Sequence, residues 1–110
     1  MPRILKTNKS IRVTDSDGEF IGLAEVNHEY EEAETFNGQN HISVPTGSQW
    51  EHERLCKTNK GNYILEEWSQ RQGGGASATL LNPREAAKWL MQNGHALPKD
   101  LAHNADELTL

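Results

Sequence analysis

The sequence predicts an α+β domain: an antiparallel sheet of about four to six strands, one main amphipathic helix at about residues 83–93 packed on one face, and a short C-terminal helix. Three observations lead there. "IRVTDSDGEFIGLAEV" sets two β-rich runs around Asp17-Gly18, a dipeptide that supplies the positive φ angles of a tight hairpin turn. "EHERLCKT" and "NYILEEWSQ" are both strand-like, and Asn59-Lys60-Gly61 between them is short enough to close a second hairpin. "NPREAAKWLMQNG" punctuates both ends of a helix: Asn82 can cap, Pro83 fits the first helical position, Glu85 can complete a capping box, and Gly94 can end it in a left-handed conformation.

The elements follow in chain order. Strands are expected at about Ile11–Thr14 and Glu19–Val26. The Asp15-x-Asp17 pair lacks the third ligand before its glycine and the later glutamate of a calcium loop, so it reads as turn chemistry. The five glutamates between Glu25 and Glu34 would repel along a helix, and only Val26, Tyr30 and Ala33 mark a weak apolar stripe; a short helix and an irregular acidic strand both fit. Asn37-Gly38 is a turn, "HISV" a short strand, and Pro45-Thr46-Gly47 ends it. In "YILEEWSQ", Ile64 and Trp68 project to one side, and Tyr63 and Leu65 to the other. A strand apolar on both sides calls for cover on both sides, which predicts a homodimer through the sheet's other face or edge. "SATLL" reads as one more strand; Ala86, Trp89 and Leu90 form the packing stripe of the helix; Leu97, Leu101, Ala105 and Leu108 suggest a second short helix.

Composition narrows the function. A chain of 110 residues fits one domain, 1–110, with residues 1–9 and 103–110 expected to be less ordered. The single Cys56 excludes an intrachain disulfide framework, and Met1–Lys9 has no charged-then-apolar leader, so the cytoplasm is the expected compartment. No stretch is apolar enough for a membrane span, and the mean hydropathy is −0.79. Sixteen acidic against eleven basic residues give a net charge of −5, which argues against a nucleic-acid partner.

Candidate chemistry is sparse. Gly73–Gly75 lacks the lysine and the adjoining helix of a phosphate loop. His52, Glu53 and Cys56, with His41 earlier, could suggest a metal, but on a strand only His52 and Cys56 share a face, and two ligands do not make a zinc site. No metal, cofactor or catalytic residue is therefore assigned. "REAAKWLMQNGHALPKDLAHN" has the outline of a helix-turn-helix, making a DNA-binding regulator one alternative. Its second helix, however, offers Lys99 alone against Asp100, Asp106 and Glu107.

Together "FNGQNHIS", "TGSQWEHERL", "KTNKGNYIL", "EEWSQRQGG" and "EAAKWLMQNGHALP" resemble a group of small bacterial proteins of no assigned activity, often encoded among mobile or accessory genes. The similarity runs from about Tyr30 to Leu101, and Arg71 stands where the group has an aromatic. The resemblance implies a stand-alone accessory protein, most simply a non-catalytic binding or interaction module, with a protein partner besides its own second copy as one option. It also draws attention to Asn40, His41, Ser43, Gln49 and Trp50, which, folded over the sheet near Trp68 and Gln70, would line a polar-aromatic pocket for a small ligand or a hydrolytic reaction.

Overall fold

The computed structural model describes residues 2–110, leaving Met1 outside the described part of the expected 1–110 domain. In chain order the elements are strands β1 (Ile4–Thr14), β2 (Phe20–Glu31), β3 (Glu34–Phe36), β4 (His41–Ser43), β5 (Glu51–Thr58), β6 (Tyr63–Ser69) and β7 (Ala76–Leu81). Helix α1 (Pro83–Gln92), a single 3-10 turn at Lys99–Leu101 and the five-residue helix α2 (Asn104–Leu108) follow. Residues 4–9 and 104–108, expected to be less ordered, thus lie in β1 and α2.

The expected α+β layering is overturned. The sheet closes on itself as a barrel in the order β1-β2-β5-β6-β7, with β3 and β4 forming a separate two-stranded sheet. Neighbours in the barrel are antiparallel except at the seam, where β1 meets β7 in parallel at Thr14 and Thr79. Closure needs strands that bend and an interior that is not overfilled. Register shifts interrupt β1 between Lys6 and Lys9 and again at Val13–Thr14, and interrupt β2 between Val26 and His28. Inward-facing Gly22, Ala24, Ala76 and Ala78 keep side-chain volume low.

Register also identifies the interior. Cys56 pairs with Ile64 and Glu29, Arg54 with Glu66, and His52 with Trp68, so these side chains share one face of the wall. Toward one end that interior is apolar: Val13, Ala24, Val26, Cys56, Ile64 and Ala78 form one buried cluster. The opposite face carries a second, built from Tyr30, Leu55 and Tyr63 of the wall and Ala86, Ala87, Trp89, Leu90 and Leu101 of the C-terminal segment. Helix α1 therefore forms where its punctuation places it, but it clasps the outside of a barrel. Both apolar sides of β6 are covered within the chain, Ile64 by the interior and Tyr63 by the helical segment, which supplies the cover that the sequence reading sought from a second subunit.

The local chemistry explains the helix ends. Asn82 Oδ1 accepts from Glu85 N at 2.8 Å, and Glu85 Oε1 accepts from Asn82 N at 3.0 Å. Gly94 takes a φ of 76°, a left-handed conformation open to glycine, and the chain turns there as His95 N donates to Leu90 O. In the glycine run, a Cβ on Gly74 would fall 2.6 Å from Ser69 Cβ, so that glycine allows the β6–β7 connection to fold tightly against the strand end.

Asn82→Ala should remove the hydrogen bond that the Asn82 side chain accepts from Glu85 N, while its backbone amide can still donate to Glu85, and cost about 1 kcal/mol in urea unfolding. Leu55→Ala, which empties a fully buried site between the wall and α1, should cost about 3 kcal/mol. An equal cost for the two would mean that α1 is not held chiefly by its packing.

Candidate functional site at the barrel mouth

The start of β1, the end of β2, the start of β5 and the end of β6 surround an open cleft of about 690 Å³. Its walls include Arg3, Leu5, Glu29, Glu31, Glu32, Glu34, His41, His52, Glu53, Arg54, Trp68 and Gln70.

Below the cleft lies a charged layer. The Lys9 ammonium contacts Glu29 Oε1 at 2.6 Å and Glu66 Oε1 at 2.8 Å. Burial opposes the Lys9 charge, but these two carboxylates outweigh it and raise its pKa. Burial likewise works against the Glu66 carboxylate, yet hydrogen bonds from Lys9 and Cys56 with the nearby Arg54 bring its pKa below the usual range. Arg54 completes the layer with Nη1 3.4 Å from Glu29 Oε2; its Nε lies 3.1 Å from Glu66 Oε1 but out of line for a hydrogen bond, so that contact is an ion pair only. Cys56 donates its thiol hydrogen to Glu66 at 3.0 Å, and burial, then Glu66, push its pKa up. Glu29, Cys56 and Glu66 have ligand atoms within 4.8 Å of one another. Lys9 already supplies the positive charge between the two carboxylates, and a thiol kept protonated is a poor metal ligand.

Above that layer Trp68 forms the floor. The Arg54 guanidinium carbon sits 4.3 Å from the centre of the Trp68 ring, and the His52 ring stacks on it at 5.5 Å and 27°. Glu32 ties three segments together: one oxygen accepts from Ser43 Oγ at 2.7 Å and Glu53 N at 2.8 Å, and the other meets His52 Nδ1 at 2.7 Å. That contact places the Nδ1 hydrogen on the side of Glu32. Burial alone would lower the His52 pKa, but Glu32, with Gln70 and the Gln49 backbone nearby, raises it. Gln70 is close without being aligned, and His52 Nε2 has no hydrogen-bond partner.

Glu53 differs from the other carboxylates. It accepts from Trp89 Nε1 at 2.9 Å, and burial, helped by Glu67 and Glu32, raises its pKa. Arg3 pairs with Glu31 at 2.8 Å, and His41 lies 3.7 Å from Glu34 at the exposed rim. Among the described residues the cationic groups of the cleft all face carboxylates of the chain itself, whereas Glu53 faces a neutral indole.

Of the residues singled out from sequence, His41, Trp68 and Gln70 line the cleft. Ser43 is buried behind it and orients Glu32. Gln49 contributes its backbone near His52, and the Trp50 carbonyl accepts from Gln70 N at 2.9 Å while its indole is exposed elsewhere. Asn40 belongs to the Asn37 turn, with its amide bonded to Asn37 Oδ1. Sequence reasoning missed Glu32 and Arg54, and set Glu53 aside as facing away from His52 and Cys56; the alternation that placed His52 and Cys56 on one face also puts Arg54 there, a signal within reach. No family model matches the chain, and no curated protein or solved structure matches it. No helix among the described residues is long and apolar enough to cross a membrane.

Because the folded pKa of His52 lies above its unfolded value of about 6.5, its pairing contributes fully below that value and is lost as pH rises through the folded pKa. Between about pH 6 and pH 8 the native protein should therefore lose more stability than His52→Gln does in parallel denaturant titrations. Parallel curves would refute the Glu32–His52 tie. Lys9→Met should cost about 3 kcal/mol, since it leaves Glu29 and Glu66 facing each other without a cation between them.

Proposed function

We propose that the chain is a non-catalytic binding module whose seat is the barrel-mouth cleft, and whose ligand is a small polar molecule carrying an amine or guanidinium. One observation carries the reading: Glu53 joins the cleft rim from the outer face of β5, opposite to the face of Trp68, as a partly buried carboxylate with no cation against it among the described residues, while Arg3, Arg54, His41 and His52 are matched internally. An arriving cation at the rim would compensate the charge that burial penalises at Glu53, and the rest of a ligand that reaches over the rim into the mouth would meet the flat apolar surface of the Trp68 floor.

A hydrolytic role is less well supported. The Ser43 hydroxyl is 1% exposed and donates to Glu32, not to an imidazole, and the Cys56 thiol is held protonated beside a carboxylate. A phosphate ligand or nucleic acid would meet five glutamates in the cleft. The cytoplasm is the compartment we propose, from the single unpaired cysteine, and the resemblance to accessory proteins suits a small stand-alone binder.

Arginine amide and putrescine should raise the melting temperature of the native chain and perturb its tryptophan fluorescence, whereas neutral sugars should do neither. Trp68→Ala and Glu53→Gln should each abolish the effect; the glutamine keeps an acceptor for Trp89, so the fold survives. Affinity should weaken on acidification as Glu53 takes up a proton at its raised pKa. No response to either cation at about 10 mM would overturn the proposal.

A further inference from the structure

At the other end of the barrel the molecule presents an apolar surface that none of the described residues covers. β5 pairs with β2 only from Val26 onward, so the backbone of β2 from Phe20 to Ala24 is paired on the β1 side alone. Beside that edge runs an open groove of about 460 Å³, floored by Val13, Ala24 and Ile64 and flanked by Ile21, Leu23 and Leu80. Leu23 is 65% exposed, Ile21 51% and Leu80 50%, and the neighbouring Phe20 is 50% exposed under the Arg12 guanidinium.

We infer that this end is a dimer face, occupied by the same surface of a second copy of the chain. With half or more of each of these four large side chains exposed, the patch is on the order of a few hundred Å², the size of the largest and often functional patch on a monomer. That is about what the apolar centre of a standard interface, about 800 Å² per partner, requires. The edge has no proline or charged side chain between Phe20 and Ala24, although the register shift at Val13–Thr14 makes Ile21 an extra residue in it. The surroundings carry both signs, with Arg12 and Lys60 against Glu19 and Glu25, so a two-fold copy need not oppose like charges. The inference uses no residue of the cleft.

Sedimentation velocity or light scattering of the full chain at about 100 µM should give twice the chain mass. Leu23→Lys and Leu80→Lys, both at exposed positions and each with an unchanged circular dichroism spectrum, should weaken the dimer by about tenfold or more and return the mass toward that of one chain. Trp68→Ala should leave the mass unaltered, separating failure of this inference from failure of the cleft reading. A native chain that stays at single mass, or a dimer indifferent to both lysines, would overturn it.

Discussion

An ammonium group held between two carboxylates inside a β-barrel needs counter-charges from strands that only closure brings together. Lys9 comes from β1, Glu29 from β2, Glu66 from β6, and Arg54 bridges the last two from β5. Desolvating any one of these groups alone would be costly, and together they satisfy most of one another's charge. The layer therefore works as a register lock: a slip of one residue on any of the four strands would turn its charge to the wrong face. It also divides the interior into an apolar half and a polar mouth.

The mouth inherits its order from that layer. Arg54 spends one side of its guanidinium on Glu29 and presents its plane to Trp68, which fixes the indole against His52; His52 in turn is aimed by Glu32. Glu32 has little freedom, since Ser43 and the Glu53 amide hold its other oxygen. The long excursion from β2 to β5 is thereby pinned to the wall at the point where the cleft forms. A site built this way loses little conformational entropy when it is filled, because its rotamers are already set. Glu53 is the exception in electrostatic terms, being well positioned by Trp89 but not neutralised.

Local signals were legible in the sequence. The hairpin around Asp17-Gly18, the β5–β6 hairpin, and the Asn82 to Gly94 helix stand where turn and cap chemistry puts them, because each is decided by residues a few positions apart. Closure was not legible, since it rests on one parallel contact between Thr14 and Thr79, more than sixty positions apart, and on bends that no dipeptide announces. The acidic run remained ambiguous for a related reason. As a strand end, it splits its charges among Lys9, Arg3, Arg54 and His52, partners invisible to local reading, and the repulsion that disfavours it as a helix vanishes. In the site, Trp68 and Gln70 were found by their excess over what a hairpin needs. Glu32 and Arg54 were overlooked because isolated charges on a strand usually face water.

The same closure removes the two-sided hydrophobicity of β6 as a reason to expect a partner on the sheet's face, one of the two places, face or edge, that the sequence suggested. Tyr63 and Leu65 point outward to the C-terminal segment, and Ile64 points inward, so this strand, apolar on both sides, has both sides covered. The exposed apolar side chains stand instead where β2 outruns β5, a mismatch of strand lengths that alternation cannot reveal: from Phe20 to Ala24 the β5 side of β2 has no partner strand, and Ile21 and Leu23 are exposed there. A polar mouth and an apolar far end then follow from one cause. The strands of the barrel are unequal in length, and the charged layer separates its polar end from its apolar one.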